Sequence, residues 1–220
     1  MSERRVARRL AHEAVADGEP LRWFEQLYAA ADADEAAVPW ADLVVNPQLA
    51  SWSLFDPATM RRALVVGCGY GDDAEWLASR GCDVTAFDVS GSAIRACRER
   101  FPGSAVGYEV ADILDPPAAW AADAFDLVVE ISTVQVFAPG SAERAAVVRA
   151  LAPVTGGTLL VIARARDAGG DEGSMPWPLS ADELEPLRDL GLREVAFDDL
   201  VDDEDPPVRR FRATYERPAR

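Results

Sequence analysis

From residue 63 onward the chain alternates short apolar, β-branched runs with stretches whose apolar positions recur at helical spacing. The runs "ALVV" (63–66), "DVTAFDV" (83–89), "AVGYEVAD" (105–112), "FDLVVEI" (125–131) and "GTLLVIARAR" (157–166) predict strands. Between them, "DDAEWLASRG" (72–81) predicts a helix closed by a glycine, "SGSAIRACRERF" (90–101) a helix with Ser90 as N-cap, and "SAERAAVVRALAPV" (141–154) a third helix. Alternation of this kind predicts a parallel sheet covered on both faces by helices. The end of the chain departs from it. After a capped helix at "LSADELEPLRDLG" (179–191), the strands "LREVAFDDL" (192–200) and "PVRRFRATYER" (207–217) are separated only by the acidic loop "VDDEDP". A parallel return needs a crossover of about a dozen residues or more, so these two form an antiparallel hairpin. The expectation is an α/β chain with a seven-stranded, mostly parallel sheet whose last strand is reversed. Residues 1–60 form an N-terminal helical cap in front of a core at 61–217, all within one domain.

The first predicted strand runs into "GCGYGDD", with glycines at 67, 69 and 71 followed by Asp72 and Asp73. A strand entering Gly-x-Gly and then a helix is how a Rossmann-like sheet receives a nucleotide-like ligand at its carboxyl edge. Taken alone, the motif is equally the mark of a tight turn. Two spacings add to it: the second strand ends at Asp88, 21 residues after Gly67, and the third at Asp112. An adenosine laid across that rim would meet Asp88 at both ribose hydroxyls and Asp112 at its base. Each Asp alone is also an ordinary turn or helix cap. A dinucleotide wants its third glycine one residue later and a helix start free of carboxylates. Asp72 and Asp73 instead suit a ligand carrying an amine or a sulfonium, which disfavours an NAD-dependent dehydrogenase.

Composition removes other classes. The 220 residues carry 38 acidic and 22 basic side chains, a formal net charge of −16, and every basic residue is Arg. So acidic a surface repels phosphate backbones and anionic headgroups, so neither nucleic acid nor membrane is an expected partner. Three cysteines without a Cys-x-x-Cys pair and the single His12 support neither a disulfide framework nor a metal site. The charged N-terminus lacks an apolar signal segment, so the expected location is cytoplasmic.

"LVVGCGYGDD", "VTAFDVS", "VAD" and "FDLVVE", in this order, resemble the successive motifs of class I S-adenosylmethionine-dependent methyltransferases across residues ~60 to 217. "WFEQLYAAADADEAAVPWADLVVNPQL", "FDLVVEISTVQVFAP" and "MPWPLSADEL" resemble more narrowly the thiopurine, thiol and halide methyltransferase branch. The resemblance implies S-adenosylmethionine as cofactor, S-adenosylhomocysteine as product and a small-molecule acceptor. It also implies a cofactor site at Trp40, Gly67, Cys68, Gly69, Asp88, Val89, Asp112, Ile113 and Glu130. Trp40, in "VPWAD", matches a Trp that closes over the cofactor in that branch; the plainer alternative is a core aromatic. Cys68 also reads as a small residue that fits the loop.

Glu130, at the end of the fourth strand, is the candidate catalytic residue. It can hold the methionine amine, act as general base, or serve the structure alone. Ile131 stands where thiopurine enzymes of the branch carry Arg and plant halide and thiol enzymes Tyr, which favours a neutral or apolar acceptor. Gln135, Trp23 and Tyr28 are the other acceptor candidates, although Trp23, Phe24 and Tyr28 also form a stripe at helical spacing that suits a core. Trp177 lies in the Gly- and Pro-rich segment 169–180, which reads as a lid or as a simple connector. The functional expectation is methyl transfer to a small molecule, preferably a thiol, by a monomer or weak homodimer. Transfer to nitrogen or oxygen is the alternative, and binding of S-adenosylmethionine without catalysis a minor one.

Overall fold

The computed structural model describes residues 3–19, 21–33, 37–120, 123–173 and 175–218. Seven strands form one sheet in the order β3-β2-β1-β4-β5-β7-β6. They are β1 (Arg62–Val66), β2 (Asp83–Asp88), β3 (Gly107–Val110), β4 (Phe125–Ile131), β5 (Thr155–Arg164), β6 (Arg193–Val201) and β7 (Arg209–Glu216). β7 runs antiparallel to both β5 and β6, and the pairings among β1 to β5 are parallel, as the sequence pattern predicts.

Period-two alternation divides the central strands between two cores. Val65, Ala86, Leu127, Val129 and Leu160 pack with Leu77 of α4 (Asp72–Ser79) and with Ile94 and Cys97 of α5 (Gly91–Arg100). On the opposite face, Leu64, Phe87, Val128, Leu159 and Val161 pack with Val147 and Leu151 of α6 (Ala142–Val154) and Leu187 of α7 (Glu185–Asp189). The sheet is therefore buried on both sides, and the ends of β1 and β4 form its topological switch point, where connections depart to opposite faces.

The helix expected over 179–191 is shorter. A 3-10 turn at Ala181–Leu184, capped by reciprocal Ser180 and Glu183 bonds, precedes the five-residue α7, because Pro186 has no N–H to continue the ladder. The N-terminal segment contributes α1 (Glu3–Ala16), α2 (Arg22–Asp32) and the single turn α3 (Pro47–Ala50). Glu25 of α2 accepts from the Ser90 hydroxyl and from the Ser92 N–H and hydroxyl at 2.7–3.0 Å, and Asp32 pairs with Arg95. These bonds dock α2 on the start of α5, beside the carboxyl rim. Among the described residues no helix is long and apolar enough to cross a membrane.

Candidate functional site

Gly67, Gly69 and Gly71 all have left-handed backbones, at φ +61°, +54° and +88°. The loop thus coils back over the end of β1 in a conformation that a Cβ would strain. The protein's own side chains press against it. A Cβ on Gly67 would lie 2.3 Å from Thr133 Oγ1, and one on Gly69 3.1 Å from the Tyr28 hydroxyl. Thr133 belongs to the turn after β4 and donates to the Val66 carbonyl at 3.1 Å, tying the two sides of the switch point together. Ser132, one residue earlier, is itself left-handed at φ +63°, a strained position of the kind found at functional rims.

Asp88 lies at this loop and is 6% exposed. Its carboxylate accepts from the N–H groups of Gly69 (3.1 Å), Ser90 (2.9 Å) and Val89. Burial nevertheless pushes it up to about 6. A carboxylate offers about four lone-pair sites, so three backbone donors leave room for about one more bond. The two ribose hydroxyls expected there exceed that capacity. Asp112 accepts from the Leu114 N–H at 2.9 Å in a turn at the end of β3, with Ile113 buried behind it.

The aromatic residues before the loop are brought over it. Trp40, 42% exposed, donates through Nε1 to the Tyr28 hydroxyl at 3.2 Å. It packs edge-on against Trp23, Phe24 and Tyr28, with ring centroids 5.6–6.3 Å apart, and Tyr28 packs in turn on Tyr70 of the glycine loop. Trp23 and Tyr28 are buried core members, so the stripe is both core and roof. Met175, beyond β5, touches the same cluster from the other side.

Four sequence expectations need correction. Asp72 and Asp73 do not stand free for a cationic ligand: Asp72 is paired with Arg100 at 2.8 Å, and Asp73, pushed by burial up to about 6, accepts from the Asn46 N–H at 2.7 Å. Glu130 is 0% exposed. The alternation of β4 sends it, after Val128, into the α6-side core, where Oε1 accepts from Val134 N–H at 2.9 Å and Oε2 has no partner. Burial raises it to about 7. It anchors the turn after β4 instead of facing the rim, so neither amine binding nor base catalysis fits its position.

Gln135 is likewise buried. It donates to the carbonyls of Arg164 and Trp177 and accepts from Arg164 N–H, which uses both of its amide N–H groups within the protein. The fourth correction concerns the lid. Trp177 and Pro178 are pinned by Arg144, and Leu179 bonds to β5 through Arg164 and Arg166, so this part of the segment is fixed; Ser174 lies outside the described residues. Ile131 remains half-buried against the α4-side core, as does Cys68.

Sequence reasoning overlooked Thr133 and Glu25, and also Arg144, a buried arginine whose signal is absent from a helix that otherwise reads as amphipathic. Open hollows of about 260 and 360 Å³ lie elsewhere, around Phe197 between α7, β6 and β7. Several of their charged groups are paired with one another, Arg188 with Glu194 and Arg209 with Asp167 and Asp199. The strand-end carboxylates and left-handed glycines converge only at the switch point, which makes that the candidate active site.

Residues 63–155, from β1 to the start of β5, match the family described as a methyltransferase domain. Over this stretch the chain is similar to that family. Several solved structures share its fold. A structure described by the conversion of a disulfide bond into a thioacetal group during echinomycin biosynthesis is 22% identical, with TM-score 0.68, covering 88% of this chain and 91% of that one. The N-methyltransferase NodS from Bradyrhizobium japonicum, bound to S-adenosylhomocysteine, is 22% identical, with TM-score 0.57 over 72% and 79%. A 1,6-didemethyltoxoflavin N1-methyltransferase from Burkholderia thailandensis is 14% identical, with TM-score 0.58 over 74% and 73%. No curated protein sequence matches the chain. At these identities the structures show a shared fold.

Proposed function

We propose that this protein transfers the methyl group of S-adenosylmethionine to a small, neutral acceptor, preferably a thiol. The observation that carries the reading is the convergence, at the β1/β4 switch point, of three left-handed glycines with the strand-end carboxylates Asp88 and Asp112 under the Trp40–Tyr28 roof. The loop at 67–69, whose left-handed glycines bring the main chain to the rim, suits the amino-acid end of such a cofactor. Asp88 has capacity for one ribose hydroxyl, Asp112 lies at the base end with Val89 and Ile113, and Trp40 covers the whole. When bound, S-adenosylmethionine supplies a methyl carbon made electrophilic by its sulfonium.

The chain's own contribution is alignment and exclusion of water. Holding two reactants in line is worth roughly 7–11 kcal/mol. Tyr28, Trp23, Trp40 and Ile131 give the cleft apolar walls. Glu130 is sealed beneath them and His12 stands exposed on α1, so neither supplies a base at the rim. A thiol needs none, since it ionises near pH 8.5 unaided. With the cofactor bound, these walls would hold the acceptor sulfur in line with the methyl carbon, and the thiol proton would be lost to solvent before transfer.

A second reading moves the acceptor to nitrogen, and the two N-methyltransferases among the structural relatives favour keeping it. The echinomycin relative, which works on sulfur, favours the first. The deciding experiment measures S-adenosylhomocysteine release against a panel of thiols, halides, phenols and amines. Turnover of aryl or alkyl thiols ahead of the rest supports the first reading. Amines alone would transfer it to the second, and binding of S-adenosylmethionine with no turnover of any acceptor would leave a binding protein.

A further inference from the structure

Cys68 sits half-exposed between Gly67 and Gly69, and Cys97 lies fully buried on α5 directly beneath the same loop. Both thiols donate to one acceptor, the Gly69 carbonyl oxygen, Cys97 at 3.1 Å and Cys68 at 3.9 Å, which brings the two sulfurs together under the loop. A Cβ at Gly71 would meet Cys97 Sγ at 3.1 Å, so this sulfur supports two turns of the loop. Cys82 takes no part; its thiol donates to the Met60 carbonyl at 3.2 Å, at the start of β1.

We propose that Cys68 and Cys97 are a dithiol modification site that a low-molecular-weight disulfide converts to an intramolecular disulfide, deforming the glycine loop. Cys68 is the point of attack because it is the less buried residue of the pair. Its thiolate attacks one sulfur of the small disulfide and displaces a thiolate, leaving a mixed disulfide on Cys68. Cys97 then attacks the Cys68 sulfur and displaces the second small thiolate. Two protein thiols are oxidised, one small disulfide is reduced to two thiols, and the two protein protons end on those products.

The flanking glycines permit the movement. Forming the bond draws two sulfurs that share the Gly69 carbonyl to about 2.05 Å, and Cys68 can follow because neither neighbour carries a side chain. The Cys97–Gly69 bond is lost, and a misplacement of about 1 Å in a site of this kind can lower rates on the order of a hundredfold. The neighbouring Cys97 thiol and burial hold the Cys68 thiol well above its ordinary range, so the first exchange accelerates with rising pH as thiolate forms. Disulfide formation is independent of the proposed function, whereas its effect on cofactor binding rests on that reading.

The test incubates the wild-type protein with oxidised glutathione at about pH 8, near the ordinary thiol pKa, with and without S-adenosylhomocysteine. Free thiols are then alkylated and the peptides mapped. The expected product has lost two hydrogens, links Cys68 to Cys97, leaves Cys82 alkylatable and is reversed by dithiothreitol. S-adenosylhomocysteine should slow its formation, and the oxidised protein should bind that ligand at least about tenfold more weakly, a loss of ~1.4 kcal/mol. Cys97→Ser should trap a glutathione adduct on Cys68. Persistence of alkylatable Cys68 and Cys97 in the wild type, accumulation there of the mixed disulfide alone, or a link to Cys82 would overturn the site. A Cys68–Cys97 link with unchanged ligand affinity would overturn its effect on binding. Wild-type mapping decides the matter even if Cys97→Ser does not fold.

Discussion

Replacing Gly67 with Ala tests whether the switch point is built as described, because two separable costs arise there. The left-handed backbone at φ +61° costs a residue bearing a Cβ about 1–2 kcal/mol. The new methyl would also lie 2.3 Å from Thr133 Oγ1, 3.1 Å from Cγ2 and 3.3 Å from Cβ, so the Thr133 turn must give way. Overpacking of this kind costs about 1–3 kcal/mol, for a combined loss of about 2–5 kcal/mol. Thr133→Ala alone removes the bond to the Val66 carbonyl, a loss of about 0.5–1.5 kcal/mol. In the double variant the two shortest contacts vanish, and the backbone cost survives. A coupling energy of about 1–3 kcal/mol in favour of the pair is therefore expected. Urea denaturation of the four proteins, compared at constant m, measures it. S-adenosylhomocysteine affinity, weakened in Gly67→Ala, should recover in part in the double variant. Stability losses that add within about 0.5 kcal/mol would refute the contact, and with it the placement of the β4 turn against the loop.

Other outcomes follow from the buried carboxylates and the roof. Asp73 and Asp88 at about 6 and Glu130 at about 7 are all raised by burial, so the folded state binds their protons more tightly than the unfolded chain. Their contribution to stability is full below the ordinary carboxylate range and is lost as pH rises through 6 to 7. Glu25 and Asp202 are lowered and oppose this at more acid pH, so a melting-temperature series should peak near the ordinary carboxylate range, about pH 4, and fall toward pH 7; a maximum at pH 8 would contradict the three burial shifts. Asp88→Asn turns an amide N–H₂ toward backbone donors and should weaken S-adenosylmethionine binding by about 1.5–3 kcal/mol in calorimetry, and unchanged affinity would remove Asp88 from the site. Arg144→Met strips the Trp177 and Pro178 carbonyls and Glu183 of a buried partner. It should cost about 3–5 kcal/mol and raise hydrogen exchange at 177–180, while protection equal to wild type would show the segment held by other bonds. Trp40→Ala should reduce cofactor affinity with little loss of stability, because the ring is 42% exposed.

The sheet was legible because each strand carries its own signal. Runs such as "ALVV" and "FDLVVEI" need burial on both faces, and six residues between the last two strands exclude a crossover. The glycine loop and the two rim carboxylates were legible for the same local reason: left-handed turns and strand ends leave marks at fixed spacing. Glu130, Gln135 and Trp177 were not, because their roles depend on which neighbours the fold supplies. A Glu one residue before the end of a strand reads as a rim group, yet period two sends its side chain to the α6-side core, where two backbone N–H groups in the turn at 133–134 receive it. Gln135 reads as an exposed loop amide, yet it fastens the Trp177 backbone to β5, leaving Trp177 itself anchored by its main chain. Arg144 completes the set from α6, joined to Glu183 at 3.1 Å.

These polar groups share a consequence for the chemistry. They sit below the rim and hold two of its elements, the turn after β4 and the segment before α7, in one arrangement. The rim is left with Asp88, Asp112, main-chain groups and aromatic walls. A cleft that keeps its ionisable groups as scaffolding aligns reactants well and moves protons poorly. It should therefore discriminate among acceptors by how readily they ionise unaided. Within a series of aryl thiols of equal size, the rate at fixed neutral pH should rise as thiol pKa falls toward the assay pH, then level off or decline as the thiolate becomes less nucleophilic. A rate that stays high for acceptors with pKa far above the assay pH would require a proton acceptor at the rim, and would reopen the assignment of Glu130 as a buried anchor.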